Sequence, residues 1–148
     1  MQAFAEILLF VSVAINAALM TFIAGVLRKV MNEMDEPTFK HFLDSLVRHS
    51  KKSPFMITIF NIPFIGAIPY IWFYGLRNRW IIAGLALWLA AGVVAKTIKF
   101  PVYKRVAALE EDDVVRLRKE RKTLNSGNLL QAILNFVAAA LMTFAFAG

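Results

Sequence analysis

Apolar residues run along this chain in four long blocks, at positions 3–27, 54–74, 80–102 and 123–147, with one short and two long charged stretches between them. At 1.5 Å per residue in a helix, each block is long enough to cross a hydrocarbon core of about 30 Å, so the pattern predicts four membrane spans. The expected fold class is all-α: an integral membrane antiparallel four-helix bundle forming a single transmembrane domain over residues 1–148, with amphipathic cytoplasmic helices between spans 1 and 2 and between spans 3 and 4. Within the first long connection Phe39, Phe42, Leu43, Leu46 and Val47 recur at i, i+3, i+4, i+7 and i+8, the apolar stripe of such a helix. Pro37 suits its first turn, Asp35 or Glu36 its N-terminal cap, and Asp44 with Arg48 a pair on its wet side. The other long connection has acids first, Glu110, Glu111, Asp112 and Asp113, then Arg116, Arg118, Lys119, Arg121 and Lys122. That order complements a helix macrodipole and predicts an Asp112–Arg116 pair. Short separation of the second and third blocks predicts that those two spans are neighbours.

Polar residues inside the apolar blocks are the informative exceptions. In the last block Asn125, Asn128, Gln131 and Asn135 fall within about 120° of one helical face at about 100° per residue. An unpaired amide in hydrocarbon costs several kcal/mol, so this stripe must face protein, water or a ligand. Asn16 and Asn135 are both eleven residues from the cytoplasmic ends of their blocks at Leu27 and Leu124, a depth of roughly 16 Å. Asn61, Gln131 and Lys96 share a shallower layer at roughly 10 Å; Asn128, Thr58 and Lys99 lie nearer the cytoplasm. If these faces converge, the inner half of the bundle holds a ligand-binding pocket of Asn16, Asn61, Lys96, Lys99, Asn128, Gln131 and Asn135. The competing reading is an interhelical hydrogen-bond network that only fixes packing. Lys96 and Lys99, one turn apart, are equally explained by snorkelling to the interface. Glu6, near the other end of its block, reads most simply as an interfacial carboxylate. Asn61, Pro63, Gly66 and Pro69 predict that the second span's hydrogen-bond ladder is interrupted at least twice.

Composition narrows the class further. The chain is 59% hydrophobic with a mean hydropathy of +0.59, which excludes an ordinary water-soluble surface. An acid at position 6 and no basic segment ahead of the first block predict that it is retained as a span. No cysteine is present, removing disulfides, thiol nucleophiles and cysteine metal sites. The net charge is +7, but fifteen of the seventeen Lys and Arg residues fall between positions 28 and 52 or between 96 and 122. By the positive-inside rule those connections are cytoplasmic and both termini lie outside the cytoplasm. Such basic stretches meet the bilayer and its anionic lipid headgroups; no aromatic-interleaved basic motif points to nucleic acid.

Candidate catalytic groups are few: His41, His49 and Lys96. The two histidines are eight apart, whereas a helical metal site prefers a spacing of three or four, and the consecutive acids at 110–113 point around a helix instead of converging. No metal site is expected. No nucleophilic triad, phosphate loop or haem-ligation motif is visible, and no cofactor is expected.

The layout resembles a family of small bacterial and fungal four-span membrane proteins that includes the anthrone oxygenases. The resemblance rests on Ser53-Pro54-Phe55-Met56 after a short helix, on Lys99-Phe100-Pro101-Val102 followed by an acidic cluster, and on Arg121 and Asn125 entering the last span. Where the family often has tryptophan before that span, this chain has Val114, Val115 and Leu117. The resemblance implies a membrane-embedded pocket for a flat apolar substrate, oxidised by dioxygen without an evident metal or flavin, and an inner-membrane location in bacteria. His41, His49 and Lys96 are then the groups available to assist enolate formation. The glutathione and eicosanoid transferases also have four spans and a basic surface, but their Arg and Asn/Glu pattern is not convincingly present. The expected function is thus to bind a lipophilic ring-type small molecule in an inward-facing polar pocket, with its oxidation as the activity that the resemblance implies. The alternatives are an accessory or assembly subunit docking a membrane partner protein, and a homo-oligomeric anion channel using Lys96 and Lys99.

Overall fold

The computed structural model describes residues 1–147; Gly148 lies outside the described residues. Five helical segments follow in order: α1 (Gln2–Glu33), α2 (Glu36–Lys52), α3 (Pro54–Tyr74), α4 (Arg79–Ala108) and α5 (Val114–Phe146), with no strand among the described residues. All but α2 are long and apolar enough to cross a membrane. The protein is therefore an all-helical membrane protein built as a helical bundle.

The apolar blocks located the spans but not the helix ends. α1 continues past Leu27 to Glu33, α4 past Val102 to Ala108, and α5 starts at Val114, before its apolar block begins. Positions 28–33, 103–108 and 114–122 hold neither Gly nor Pro, and Lys, Arg and Glu are good helix formers, so the chain stays helical where it turns polar. A separate amphipathic helix between the last two spans is consequently absent among the described residues. The acids there sit in the turn and at the start of α5. Asp113 caps α5 by accepting from the Arg116 amide at 3.3 Å and pairs with the Arg116 side chain at 3.5 Å, displacing the expected Asp112–Arg116 pair. In α2, likewise, Asp44 bonds Lys40 at 2.9 Å instead of Arg48, because Lys40 is also held by the Ala107 carbonyl at 3.4 Å while Arg48 points to solvent.

α2 itself starts where Asp35 accepts from the Thr38 amide at 2.9 Å, with Pro37 in the first turn. It buries Phe39 and Leu43 against Met31 of α1, Val102 and Val106 of α4, and Leu117 and Leu124 of α5. Two arginines of α5 lock it there. Arg118 bonds Glu36 at 3.0 Å, and Arg121 donates to the Met34 carbonyl at 2.8 Å with its guanidinium 4.6 Å over the Phe39 ring. The Arg118 hydrogen bond holds the Glu36 carboxyl below the ordinary glutamate value of 4.5. A lowered carboxylate contributes fully above its unfolded value and loses that contribution as pH falls through the folded one. Limited proteolysis at the Met34 and Asp35 linker should therefore accelerate only in acid below that ordinary value, whereas Glu36→Gln should show the faster cleavage at neutral pH.

α4 and α5 pack along much of their length, with α1 against α5. The contact is close because Gly84 has no Cβ: one built there meets the Met142 side chain and lies 2.9 Å from the Ala138 carbonyl oxygen. α3 stands apart. It packs chiefly on α1 and α2 and meets α4 only at isolated side chains such as Phe64 on Trp88, although only a short turn joins it to α4. Pro63 and Pro69 each remove a backbone donor, yet the helix continues through both, so the expected interruptions do not break it. Its far end is tied down by Glu6, whose Oε1 accepts from Tyr70 Oη at 2.7 Å, Gln2 Nε2 at 3.0 Å and Asn78 Nδ2 at 3.1 Å. Glu6 is thus a buried clamp between α1, α3 and the following turn. Tyr70→Phe should cost about 1.5–3 kcal/mol, the range for a hydrogen bond to a charged group. Thermal unfolding in detergent should show that loss, and should show little of it when Glu6 is already Ala.

Candidate functional site

Where α3 parts from α4, a cavity of 700 Å³ opens, with α1 and α5 as its floor and α2 across one end. Two local features of the chain shape it. Residues Ile23–Leu27 of α1 and Ala95–Lys99 of α4 form wide π turns, a distortion frequent at functional sites. For α4 the cause is readable: the Pro101 ring would collide with the Thr97 carbonyl in a regular helix, and the wider turn relieves it. In so wide a turn residues three apart no longer share a face. Lys96 is consequently exposed and lines no part of the cavity, whereas Lys99 is only 5% exposed and lines its floor. Gly127 lets this turn close on α5, since a Cβ there would lie 3.0 Å from Ile98 Cγ2 and 3.2 Å from Lys99 Cγ.

Six of the expected ligand-binding residues line this one cavity: Asn16, Asn61, Lys99, Asn128, Gln131 and Asn135. Lys99 Nζ donates to Gln131 Oε1 at 2.7 Å, and Asn135 Nδ2 to the Gln131 carbonyl at 2.8 Å. Asn16 Nδ2 donates to the Ser12 carbonyl and, across to α3, to the Ile59 carbonyl, both at 2.9 Å. Asn61 bonds the Ile57 carbonyl of its own helix at 2.7 Å and is exposed. The Oδ1 atoms of Asn128 and Asn135 are buried and meet no donor. Each such orphan acceptor costs about 1–3 kcal/mol; outside the cavity Asn125 Oδ1 and the Nε and Nη2 atoms of Arg121 are likewise buried without a hydrogen-bond partner. Asn125, the remaining member of the stripe, bonds Asn32 Oδ1 at 2.8 Å outside the cavity.

The other candidates lie elsewhere. His41 is exposed and pairs with Glu111 at 2.9 Å; His49 is exposed and sits 2.8 Å from the Ser45 carbonyl. Neither lines the cavity. Tyr103, which continues the face of the two lysines along the chain, does line the cavity; residues that the chain pattern did not single out are the rest of its aromatic wall, Phe60, Phe64 and Trp88, and its α2 edge, Ser50 and Lys51. Phe64 and Trp88 meet edge-on at 4.5 Å, a bridge between α3 and α4. Aromatic residues are so common in apolar spans that only the packing singles these out. A second hollow of 540 Å³ lies between α1 and α3, lined by Leu8, Ile62, Ile65 and similar side chains without a charged group.

Chemically the described lining offers one buried ammonium, amide donors and acceptors, the hydroxyls of Tyr103 and Ser50, and apolar rings, with no Asp, Glu or His. That set suits binding and the stabilisation of negative oxygen. Among the described residues no three His, Asp or Glu side chains gather as a metal-binding group. Comparison of the chain with family models, with curated proteins and with solved structures finds no match.

Proposed function

We propose that this protein binds a lipophilic ring-type small molecule in the cavity between α3 and α4, with its polar end on the floor formed by Lys99, Asn128, Gln131 and Asn135. The observation that carries the reading is the coexistence of 700 Å³ of space, walled by apolar and aromatic side chains, with Lys99, Asn128, Gln131 and Asn135 converging on one side of it. Ligand sites combine an apolar lining with a few convergent polar groups in this way. The accompanying topology is an antiparallel bundle in a bacterial inner membrane, with both termini outside the cytoplasm. The basic ends of α1, α4 and α5 then lie in the cytoplasm beside anionic headgroups, and α2 lies there as an amphipathic helix.

Resemblance to the anthrone oxygenases extends the proposal to oxidation. For an anthrone that enters as its enolate, its ring proton already given up to water, Lys99 with its neighbouring amides would stabilise the enolate oxygen, and dioxygen as the oxidant would take the ring carbon to the quinone with release of one water. Lys99 takes the part expected of Lys96, His41 or His49. The second reading, an accessory subunit, draws on α3, whose Phe55, Ile65, Ile68 and Phe73 are exposed; hydrocarbon covers such a face as well as a partner does. An anion channel loses its shared cationic wall because Lys96 and Lys99 point apart.

Mass spectrometry of organic extracts from detergent-purified protein tests the binding reading. A non-lipid compound should copurify near one per chain and be depleted in an Asn128→Leu/Gln131→Leu variant. A phospholipid-only profile in both would refute it.

A further inference from the structure

We infer that the ligand of this cavity is a monoanion, a lipophilic compound carrying one carboxylate, with Lys99 as its counter-charge. This goes a step past the proposed function and rests on it. Lys99 is 5% exposed, and its one hydrogen-bond partner is the neutral side-chain amide oxygen of Gln131, Oε1, at 2.7 Å. Among the described residues no acid pairs with it, and no Asp or Glu lines the cavity.

A buried ion without a counter-ion is among the most expensive arrangements a protein can hold. Glu36, Glu111 and Glu120 are engaged elsewhere, paired with Arg118, His41 and Arg105 outside the cavity. One positive charge at the floor calls for one negative charge on the occupant. The second cationic residue of the lining, Lys51, belongs to the exposed edge of α2 and is free to solvate. A carboxylate fits this floor better than a phosphate. The floor has one ammonium and amides and no guanidinium, the group that best matches phosphate geometry. Above it, Phe60, Phe64, Trp88 and Leu89 take up rings or methylenes. The parting of α3 from α4 gives such a molecule a route from the bilayer, where amphiphilic acids partition.

Trp88 lines the cavity and makes the test direct. The full chain with Trp72→Phe and Trp80→Phe, in a non-ionic detergent at neutral pH, leaves Trp88 as the sole donor for energy transfer to a pyrene. The probes are 1-pyrenebutyric acid and 1-pyrenebutanol, which differ in the anionic group, with empty micelles as blank. The acid should bind at least about ten-fold more tightly than the alcohol. Lys99→Met should abolish that preference by weakening the acid alone, and Lys99→Arg should retain it. Replacing a buried unpaired cation by Met removes a desolvation cost, so the variant should fold, and its thermal midpoint verifies this. Equal affinity of the two probes for the unaltered Lys99 protein overturns the inference while leaving the ligand cavity standing. Acid preference that survives Lys99→Met overturns it as well. Transfer from neither probe removes the cavity reading and the inference with it.

Discussion

Gly84→Leu should leave the protein unable to hold α4 against α5, with a loss of about 3 kcal/mol or more, the upper range for forcing volume into a packed interior. Even a Cβ at Gly84 lies 2.9 Å from the Ala138 carbonyl, and backbone of α5 can give way only by moving the helix. Leucine adds an isobutyl group to that collision. The same contact holds Ile81, Leu85, Trp88, Ala138 and Met142 in one core cluster, so the damage spreads along the pair. Gly25→Ala is the matched control. Nothing lies within 4 Å of its added Cβ, and alanine favours a helix over glycine by about 1 kcal/mol. Equilibrium unfolding in mixed micelles should separate the two variants clearly, and equal stability would mean that the α4–α5 contact is looser than described.

The second large effect should fall on binding and spare the fold. Gly92 lines the cavity, and a Cβ built there meets nothing within 4 Å. A phenylalanine at 92 therefore has room to enter the space and occupy what the ligand needs. Its stability should stay within about 0.5 kcal/mol of the parent, as for substitutions that disturb no packed contact. Affinity for a ring-bearing probe such as 1-pyrenebutanol should fall at least about 100-fold, equivalent to about 2.7 kcal/mol. Unchanged affinity would place the probe outside this cavity.

Much of this arrangement could be read along the chain, and the reasons for the misses are local. The helix Pro54–Tyr74 has the same bounds as its apolar block, and its ends are strongly punctuated in the structure: a Ser53 cap, Pro54 in the first turn and Gly75 at φ 66°. The other spans lack such punctuation at their polar ends, and hydropathy reports where a helix leaves hydrocarbon, not where it stops. The amide stripe of α5 was legible because an α-helix repeats regularly and Asn128, Gln131 and Asn135 obey that repeat. Lys96 and Lys99 were not separable, since a regular repeat puts them on one face and only the π turn ahead of Pro101 divides them. Nothing in the spacing indicated that α3 would stand off from α4 after so short a turn. That separation comes from the Glu6 and Asn16 bonds, which hold α3 to α1. Histidines drew attention for their chemistry, but a charged helix facing water is where such side chains usually reside.

The space beside Phe60 should be occupied by one kind of molecule. A photoreactive benzoylphenylalanine at Phe60, which lines the cavity, can be compared with the same residue at Phe55, which is 72% exposed on the same helix. After irradiation in the native membrane, intact-protein mass spectrometry should show a single discrete adduct from position 60 and a spread of phospholipid masses from position 55. The same phospholipid spread from both positions would contradict the account.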